Sequence, residues 1–266
     1  GSVRYVGPKA FSGNSTITSI KVPSSVLAID VYAFAFMPNL RSISFSSGLR
    51  EIRDGAFQEA NNLGELSLPD SLEILGPQAF QGSGISSLRI PNSLTSVGSK
   101  SFASSKNLST VINSKNLKKI GLGAFDSTGI SSFEFSNTGL ELESYAFSNS
   151  KLSRIDLGVP LEKIPDYAFS NNPVTSVSLP QNLISIGASA FSGTLLTSID
   201  FPTTLQTIGN FAFNGTRLTT FKAPPNLTFI GISGAMRLIV LKITSLSFPN
   251  NTAALIFRSK EHTSEL

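Results

Sequence analysis

The side chains that most often perform catalysis are scarce in this sequence. It has no cysteine and one histidine, His262. A Ser-His-Asp triad, a Cys-His pair or a zinc site would require those residue types. Carboxylates are present, but none recurs at a spacing that suggests a paired acid and base. We therefore expect a non-enzymatic protein without cofactor or metal. A hydrolase is only a remote alternative.

Hydroxyl and charged side chains recur at fixed spacing instead. Nine of eleven positions in one such series are Ser or Thr, and a second series two residues later carries charge. The first series is Ser19, Ser42, Glu65, Ser87, Thr110, Ser132, Arg154, Ser176, Ser198, Thr220 and Ser245, and the second includes Lys21, Arg89, Glu134, Asp156, Asp200 and Lys222. Such series could bind a protein or glycan through hydrogen bonds and charge. Small hydroxyls also suit a crowded inner face, and hydroxyl ladders also bind ice or crystal surfaces.

A run of cations forms a second candidate. No acid occurs between Glu73 and Asp126, whereas residues 126–166 hold seven acids and three bases. The cations of the acid-free stretch are Arg89, Lys100, Lys106, Lys115, Lys118 and Lys119. They could form a patch for an acidic glycan or protein, or simply a solvated face. The net charge of +4 biases encounters toward acidic partners. Because no aromatic residues alternate with the cations, nucleic acid is not expected as a partner.

The elements that position these residues follow from a repeat. Ten Phe residues stand 22 or 23 residues apart, and a fixed period in the twenties indicates a solenoid. They are Phe11, Phe34, Phe57, Phe80, Phe102, Phe125, Phe147, Phe169, Phe191 and Phe213. We expect them to stack in one column, with the neighbouring Ala beside each ring.

Each unit begins with a strand pattern. In V-T-S-V-S-L-P at 174–180, Val177 and Leu179 alternate with serines, which predicts a strand with one buried face. Eleven units begin in this way, and we number them one to eleven. The following L-I-S-I-G predicts a turn of the chain, and the Ala-Phe region predicts a helical or 3₁₀ turn. The first residues of the units are Ile17, Leu40, Leu63, Ile85, Leu108, Ile130, Leu152, Val174, Leu196, Leu218 and Ile243.

The pattern L-x-x-I-x-L-P-x-x-L-x-x-I-G-x-x-A-F resembles the BspA-like leucine-rich repeats, over residues 3–249. The resemblance implies a β-rich, right-handed solenoid, α/β by convention. A concave parallel sheet of about eleven strands would face short helical or 3₁₀ turns. It also implies a surface or secreted protein that adheres to host or matrix proteins. Many relatives carry Cys three residues after the Phe, where this chain has residues such as Asn14, Ser105, Ser150 and Thr194.

The domain organisation follows from the array. Residues 1–249 form the repeat array, which begins mid-unit and without Met and so indicates a fragment. Residues 250–257 are a decayed terminal repeat, and 258–266 are a non-native or disordered tail. Asn113 stands at an inward position and should hydrogen-bond to neighbouring backbone, with a displaced strand end as the alternative. The apolar run at 238–241 has no assigned place, and no stretch is long enough to span a membrane.

We therefore expect a recognition or adhesion array at the cell surface or outside the cell. It would bind a protein or glycan through its concave face. The alternative is a structural spacer or intracellular scaffold within a larger protein.

Overall fold

The computed structural model describes residues 2–135, 139–158, 160–231 and 245–247. The chain is a solenoid of short parallel strands, with two strands in a typical unit. The strand at the start of each unit contributes to what we call the first sheet. Its strands are β2 Ser19–Val22, β4 Ser42–Phe45, β6 Leu66–Ser67, β8 Ser87–Arg89, β10 Thr110–Ile112, β13 Arg154–Asp156, β15 Ser176–Ser178, β18 Thr220–Lys222 and β20 Ser245–Ser247.

A pair of residues later in most units forms a second sheet, where the sequence predicted only a turn. The first residue of most of these strands is exposed or half-buried and the second points inward, as in Lys119 and Ile120. The strands are β1 Tyr5–Val6, β3 Ala28–Ile29, β5 Glu51–Ile52, β7 Ile74–Leu75, β9 Ser96–Val97, β11 Lys119–Ile120, β12 Glu141–Leu142, β14 Lys163–Ile164, β16 Ser185–Ile186, β17 Thr207–Ile208 and β19 Phe229–Ile230.

The predicted Phe column is confirmed. Successive rings stack at centroid distances of 5.0 to 6.0 Å, with interplanar angles below 20°. From Phe57 to Phe213 the rings are fully buried, and a buried Ala precedes most of them. Because one unit cannot enclose its own apolar side, this shared interior is what holds neighbouring units together.

The residues around each column Phe form a turn, and within the described residues no helical or 3₁₀ element occurs there. The prediction of helical turns was therefore wrong. The amides at positions −2, 0 and +2 relative to the Phe donate to the next unit, as Phe34 N does to Ala56 O at 2.8 Å. A helix would direct every amide back along its own chain instead. The same three bonds recur at each of the nine steps between column Phe residues.

This hydrogen-bond pattern needs left-handed backbone at positions −2 and +2. Tyr32 and Phe36, which flank Phe34, have φ of 55° and 57°. Most units use a non-glycine residue at one or both positions, although such conformations are uncommon outside glycine. We call the −2 positions the outer turn column. Its members are Lys9, Tyr32, Gly55, Gln78, Lys100, Gly123, Tyr145, Tyr167, Ser189 and Phe211.

Both sheets are interrupted, unlike the turns. Among the described residues, the first sheet pairs as β2-β4, β6-β8-β10, β13-β15 and β18-β20, which gives nine strands in the eleven units. The described parts of units six and nine have no strand there. Each interruption lies beside a Phe at the sixth position, where other units mostly carry a smaller residue. Those residues are Phe45, Phe135 and Phe201, and each ring contacts the Phe column at 5.4 to 6.0 Å.

The second sheet pairs as β1-β3-β5-β7, β9-β11-β12 and β14-β16-β17-β19. A proline lies at the break between β12 and β14. In most other units the residue after the strand donates its amide to the preceding unit, as Gly187 N does to Ile164 O at 2.8 Å. Pro165 occupies that position in unit seven. Proline has no N–H, so this bond cannot form.

Polar side chains fill the third position after most column Phe residues. Ser105 Oγ contacts Ser83 Oγ at 3.1 Å and donates to Phe80 O at 3.0 Å. Asn172 Nδ2 donates to Phe147 O at 2.7 Å. All three side chains are buried, and their hydrogen bonds offset the cost of removing them from water. The predicted bonding of Asn113 is also confirmed, because its Nδ2 donates to Glu134 O at 3.1 Å.

Candidate partner-binding face

The outward side chains of the first sheet form the surface that we call the first-sheet face. The register places equivalent residues side by side, with Ser19 beside Ser42 and Lys21 beside Ser44. The inward residues between them, such as Ile43, belong to the core. Two parallel lanes therefore run along the array, one at the third and one at the fifth position of each unit.

The lane at the third position carries mostly hydroxyls, as the spacing predicted. Thr110 lies beside Ser87, and Arg154 beside Ser176. The third-position residues Ser19, Ser42, Glu65, Thr110, Arg154, Ser176 and Thr220 are exposed, and Ser87 is half-buried. Their polar atoms are thus available to a partner.

The lane at the fifth position is mixed in charge. Lys21, Arg89, Glu134, Asp156, Asp200 and Lys222 are all exposed. Arg154 and Asp156 form an ion pair at 3.8 Å across the two lanes, with side chains 73% and 59% exposed. Arg89 forms another with Asp70 at 3.2 Å. Such open pairs contribute little to stability, because water and salt screen them. A bound partner could therefore exchange them at little cost.

Sequence reasoning missed one residue of this face. Ile112 occupies the fifth position of unit five, is 60% exposed and lies beside Arg89 in the register. The sequence contained a signal for this residue, since Ile112 is apolar at a position where the other units have a polar side chain. An isolated exposed apolar side chain of this size gives the face a hydrophobic contact point.

The predicted basic patch is distributed over different parts of the solenoid. Lys119 lies in the second sheet, and its Nζ is 2.6 Å from Glu143 Oε1 and 3.9 Å from Glu141 Oε1. The hydrogen bond and charge of Glu143 raise the pKa of Lys119. The acids that lie 22 and 24 residues later in sequence are thus its immediate neighbours. Stacking of the units brings together charges that the sequence separates.

The other lysines of that patch lie elsewhere. Lys100 belongs to the outer turn column, and Lys106 lines a cavity of about 390 Å³ together with Glu59. Lys115 and Lys118 stand on the exposed turn between β10 and β11. That these lysines form a single basic surface stays a prediction. Lys119 is ion-paired with two carboxylates.

One opening lies where both sheets are interrupted. A cavity of about 660 Å³ lies between β12 and β14, and its lining mixes Leu122, Leu140 and Pro165 with Glu143 and Lys163. No group of three or more metal-ligating side chains occurs in the described part of the chain. Among the same residues, no helix is long and apolar enough to cross a membrane.

Comparison with known proteins agrees with this geometry. The family model of the BspA type leucine rich repeat region matches six times, over residues 1–109, 29–153, 118–234 and 162–255. No curated protein matches the sequence significantly.

Several solved structures share the fold. A leucine-rich repeat protein from Bacteroides ovatus is 25% identical with a TM-score of 0.65, over 88% of this chain and 57% of that one. A leucine rich cell surface protein from Faecalibacterium prausnitzii is 19% identical with a TM-score of 0.53, over 92% of this chain and 87% of that one. This chain thus spans little more than half the length of the first. The repeated match along the array, together with the stacked units described above, shows that this chain belongs to the BspA-type leucine-rich repeat family.

Proposed function

We propose that this chain is a non-enzymatic recognition array that binds a protein or glycan through the first-sheet face. One observation carries the proposal: the two outward lanes are exposed while the residues between them form the core. Their hydroxyl and charged groups are not needed to hold the units together, so these groups can determine which partner binds. Hydroxyls beside mixed charge and one exposed Ile suit a polar macromolecular surface.

We further propose that the array acts at a cell surface or outside the cell. Family membership supports this location, and one solved structure of the same fold is described as a cell surface protein. The complete gene would test it. A signal peptide or wall-attachment segment is expected, and fused intracellular signalling domains would contradict it.

Binding can be tested with the purified array on immobilised matrix proteins and a glycan array. The charge reversals Arg89→Glu, Arg154→Glu and Asp156→Lys should weaken each detected interaction about tenfold or more, since rim and interface charges set specificity. Lys163→Glu is the matched control, because Lys163 is exposed on the second sheet. If the three reversals change affinity no more than the control does, the first-sheet face is not the binding site.

A spacer that holds other domains apart is the second candidate function. The unbroken turn hydrogen bonds over nine steps favour it, because they join the units from Phe11 to Phe213 into one continuous body. An array that binds nothing in the screens above, in a gene with domains on both sides, would support the spacer over the recognition role.

A further inference from the structure

Two tyrosines of the outer turn column form an exposed stack. The rings of Tyr145 and Tyr167 lie at a centroid distance of 4.5 Å with an interplanar angle of 5°. Their side chains are 41% and 37% exposed, whereas the rings of the Phe column are buried from Phe57 to Phe213. The pair is therefore a stack of two phenols that solvent and small reagents can reach. We call it the tyrosine pair.

The backbone holds the two tyrosines in the same orientation. Tyr145 and Tyr167 have φ of 61° and 57°, so both residues leave the turn in the same left-handed conformation. Tyr145 N donates to Asp166 O at 3.0 Å, and Tyr167 N donates to Ala188 O at 2.8 Å. Because Asp166 directly precedes Tyr167, the first bond ties together the peptide groups beside the two rings. The turn that builds the array thus also fixes the spacing of the pair.

The parallel stack suits one reaction of phenols in particular. The pKa of Tyr145 is raised, first because its phenol is partly removed from water and then because of the charges of Tyr167 and Asp166. Tyr145 is therefore a neutral phenol at neutral pH. Loss of one electron and one proton converts a phenol into a phenoxyl radical, whose unpaired electron is shared with the ortho carbons. Two such radicals join through those carbons when their ring faces overlap.

Side chains that would compete for an oxidant are absent or shielded. Oxidants readily modify thiols and thioethers that solvent can reach. The sequence contains no Cys and no Trp. Met37 is fully buried, and Met236 lies outside the described residues. Within the described part of the chain, the tyrosine pair is thus an accessible target of oxidation.

We propose that the tyrosine pair is an oxidative modification site at which hydrogen peroxide, acting through a haem peroxidase, forms a dityrosine cross-link. One electron and one proton leave each phenol, and the peroxide takes up both electrons and both protons to become two molecules of water. The two radicals then form a carbon–carbon bond between their ortho carbons. The hydrogen on each of these carbons moves to the phenol oxygen, so the protein loses two hydrogen atoms overall.

The cross-link would span the boundary between units six and seven. Tyr145 belongs to unit six and Tyr167 to unit seven, and among the described residues neither sheet is paired across this boundary. The new bond would thus join the two units where the sheets do not. The tyrosine pair includes no residue of the first-sheet face, so this proposal stands or fails separately from the function proposed above.

The test treats the purified chain with a haem peroxidase and hydrogen peroxide, at a protein concentration low enough to limit contact between molecules. We expect a monomer that has lost the mass of two hydrogen atoms and has gained the fluorescence of dityrosine. Trypsin cleaves after Lys151 and Lys163 and so separates the two tyrosines of the untreated chain. After oxidation, mass spectrometry should find the peptides of Tyr145 and Tyr167 joined.

Conservative variants locate the reaction. Tyr145→Phe and Tyr167→Phe keep a stacked ring but remove one phenol, so the cross-link within the monomer should be lost in both. Tyr32→Phe is the matched control, because Tyr32 occupies the same column but has Lys9 and Gly55 as its neighbours there. Its yield of the cross-link should equal that of the wild type.

Denaturation tests whether the fold directs the coupling. Oxidation in urea should abolish the link within the monomer, because unfolding separates the rings, while added free tyrosine shows that the peroxidase still works. Four results would overturn the proposal. They are a yield that urea does not change, cross-linked dimers as the main product, a link within the monomer that persists in Tyr145→Phe, and oxygen addition to the monomer without joined peptides.

Discussion

At the residue scale, Phe147 shows how much one ring contributes to the array. Its side chain is fully buried between Phe125 at 5.3 Å and Phe169 at 6.0 Å. Phe147→Ala removes that apolar surface and leaves a cavity, so we expect a loss of about 3–5 kcal/mol in the free energy of unfolding. This loss can be measured by urea denaturation monitored by circular dichroism.

Phe211→Ala is the matched control for Phe147→Ala. Phe211 lies on the outer turn column and is 44% exposed. Its removal should cost less, because nearly half of its surface stays in water in the folded protein. Equal losses for the two variants would contradict the role of the Phe column as the shared interior.

The pair of Lys119 and Glu143 predicts a pH dependence. The hydrogen bond from Lys119, and a second from the Leu122 amide at 2.7 Å, lower the pKa of Glu143. A carboxylate with a lowered folded pKa stabilises the protein above its unfolded value of about 4.3. That stabilisation is lost as the pH falls through the folded value. Glu143→Gln should thus lower Tm at neutral pH and not at strongly acidic pH.

Thermal melts across the acid range check this expectation. Glu162→Gln, at an exposed carboxylate, is the comparison variant. A Tm difference between wild type and Glu143→Gln that stays constant down to strong acid would mean that its ionisation is not responsible.

Individual residues differed in how well their roles could be predicted. The period alone placed the Phe column, and an inward polar residue in a strand pattern was enough to predict bonding by Asn113. The stack of Tyr145 on Tyr167 was not predictable in this way, since only the left-handed backbone turns both rings outward. The partners of Lys119 were missed because stacking joins residues one period apart, whereas the charge run was judged along the sequence.

At the element scale, the two sheets differ in how clearly the sequence predicts them. The first sheet was predicted because two inward residues alternate with polar ones, as Val177 and Leu179 do with serines. The second strand spans only two residues, as in Lys163–Ile164, and such a pair is equally compatible with a turn. The geometry of the turns could not be predicted, because it depends on hydrogen bonds to the next unit rather than on local propensity.

Pro165 offers a direct test of why the second sheet is interrupted. Gly occupies the same position in several other units, including Gly121, whose amide donates to Val97 O at 2.9 Å. Pro165→Gly restores an amide, which should bond to Leu142 O and join β12 to β14. Hydrogen exchange should then show residue 165 to be protected.

The amide of Gly187, which is bonded in the same way in the next unit, provides the internal reference for that measurement. Residue 165 should approach its protection within about tenfold, since equivalent sheet bonds open with similar free energies. If the new amide exchanges as fast as an exposed one, the missing donor does not cause the gap. The aromatic residues of unit six would then be the cause.

At the scale of the whole molecule, the array is least connected between units six and seven. Among the residues described, this is the one boundary at which neither sheet is paired. The turn hydrogen bonds and the Phe147–Phe169 contact still cross it. Solenoid stability is approximately a sum of unit and nearest-neighbour terms, so a weak boundary divides the molecule energetically.

Native-state hydrogen exchange should therefore reveal two groups of amides that open separately, one on each side of that boundary. Phe80 and Phe191 amides are suitable reporters, since both donate to a neighbouring unit. As the urea concentration rises, the opening free energies of the two groups of amides should converge only near global unfolding. A single opening free energy for all protected amides would contradict this division.

The turn hydrogen bonds also give the molecule a direction. Each peptide group in them accepts from the unit before and donates to the unit after, so that Tyr32 N bonds to Asp54 O and Gly55 N to Pro77 O. Three such chains of peptide dipoles run side by side through nine steps, and aligned dipoles add. Partial positive charge therefore accumulates at the C-terminal end of the turns, the reverse of an α-helix, and partial negative charge accumulates at the N-terminal end. Anionic groups are electrostatically favoured at one end of the array and cationic groups at the other, whatever side chains the units carry.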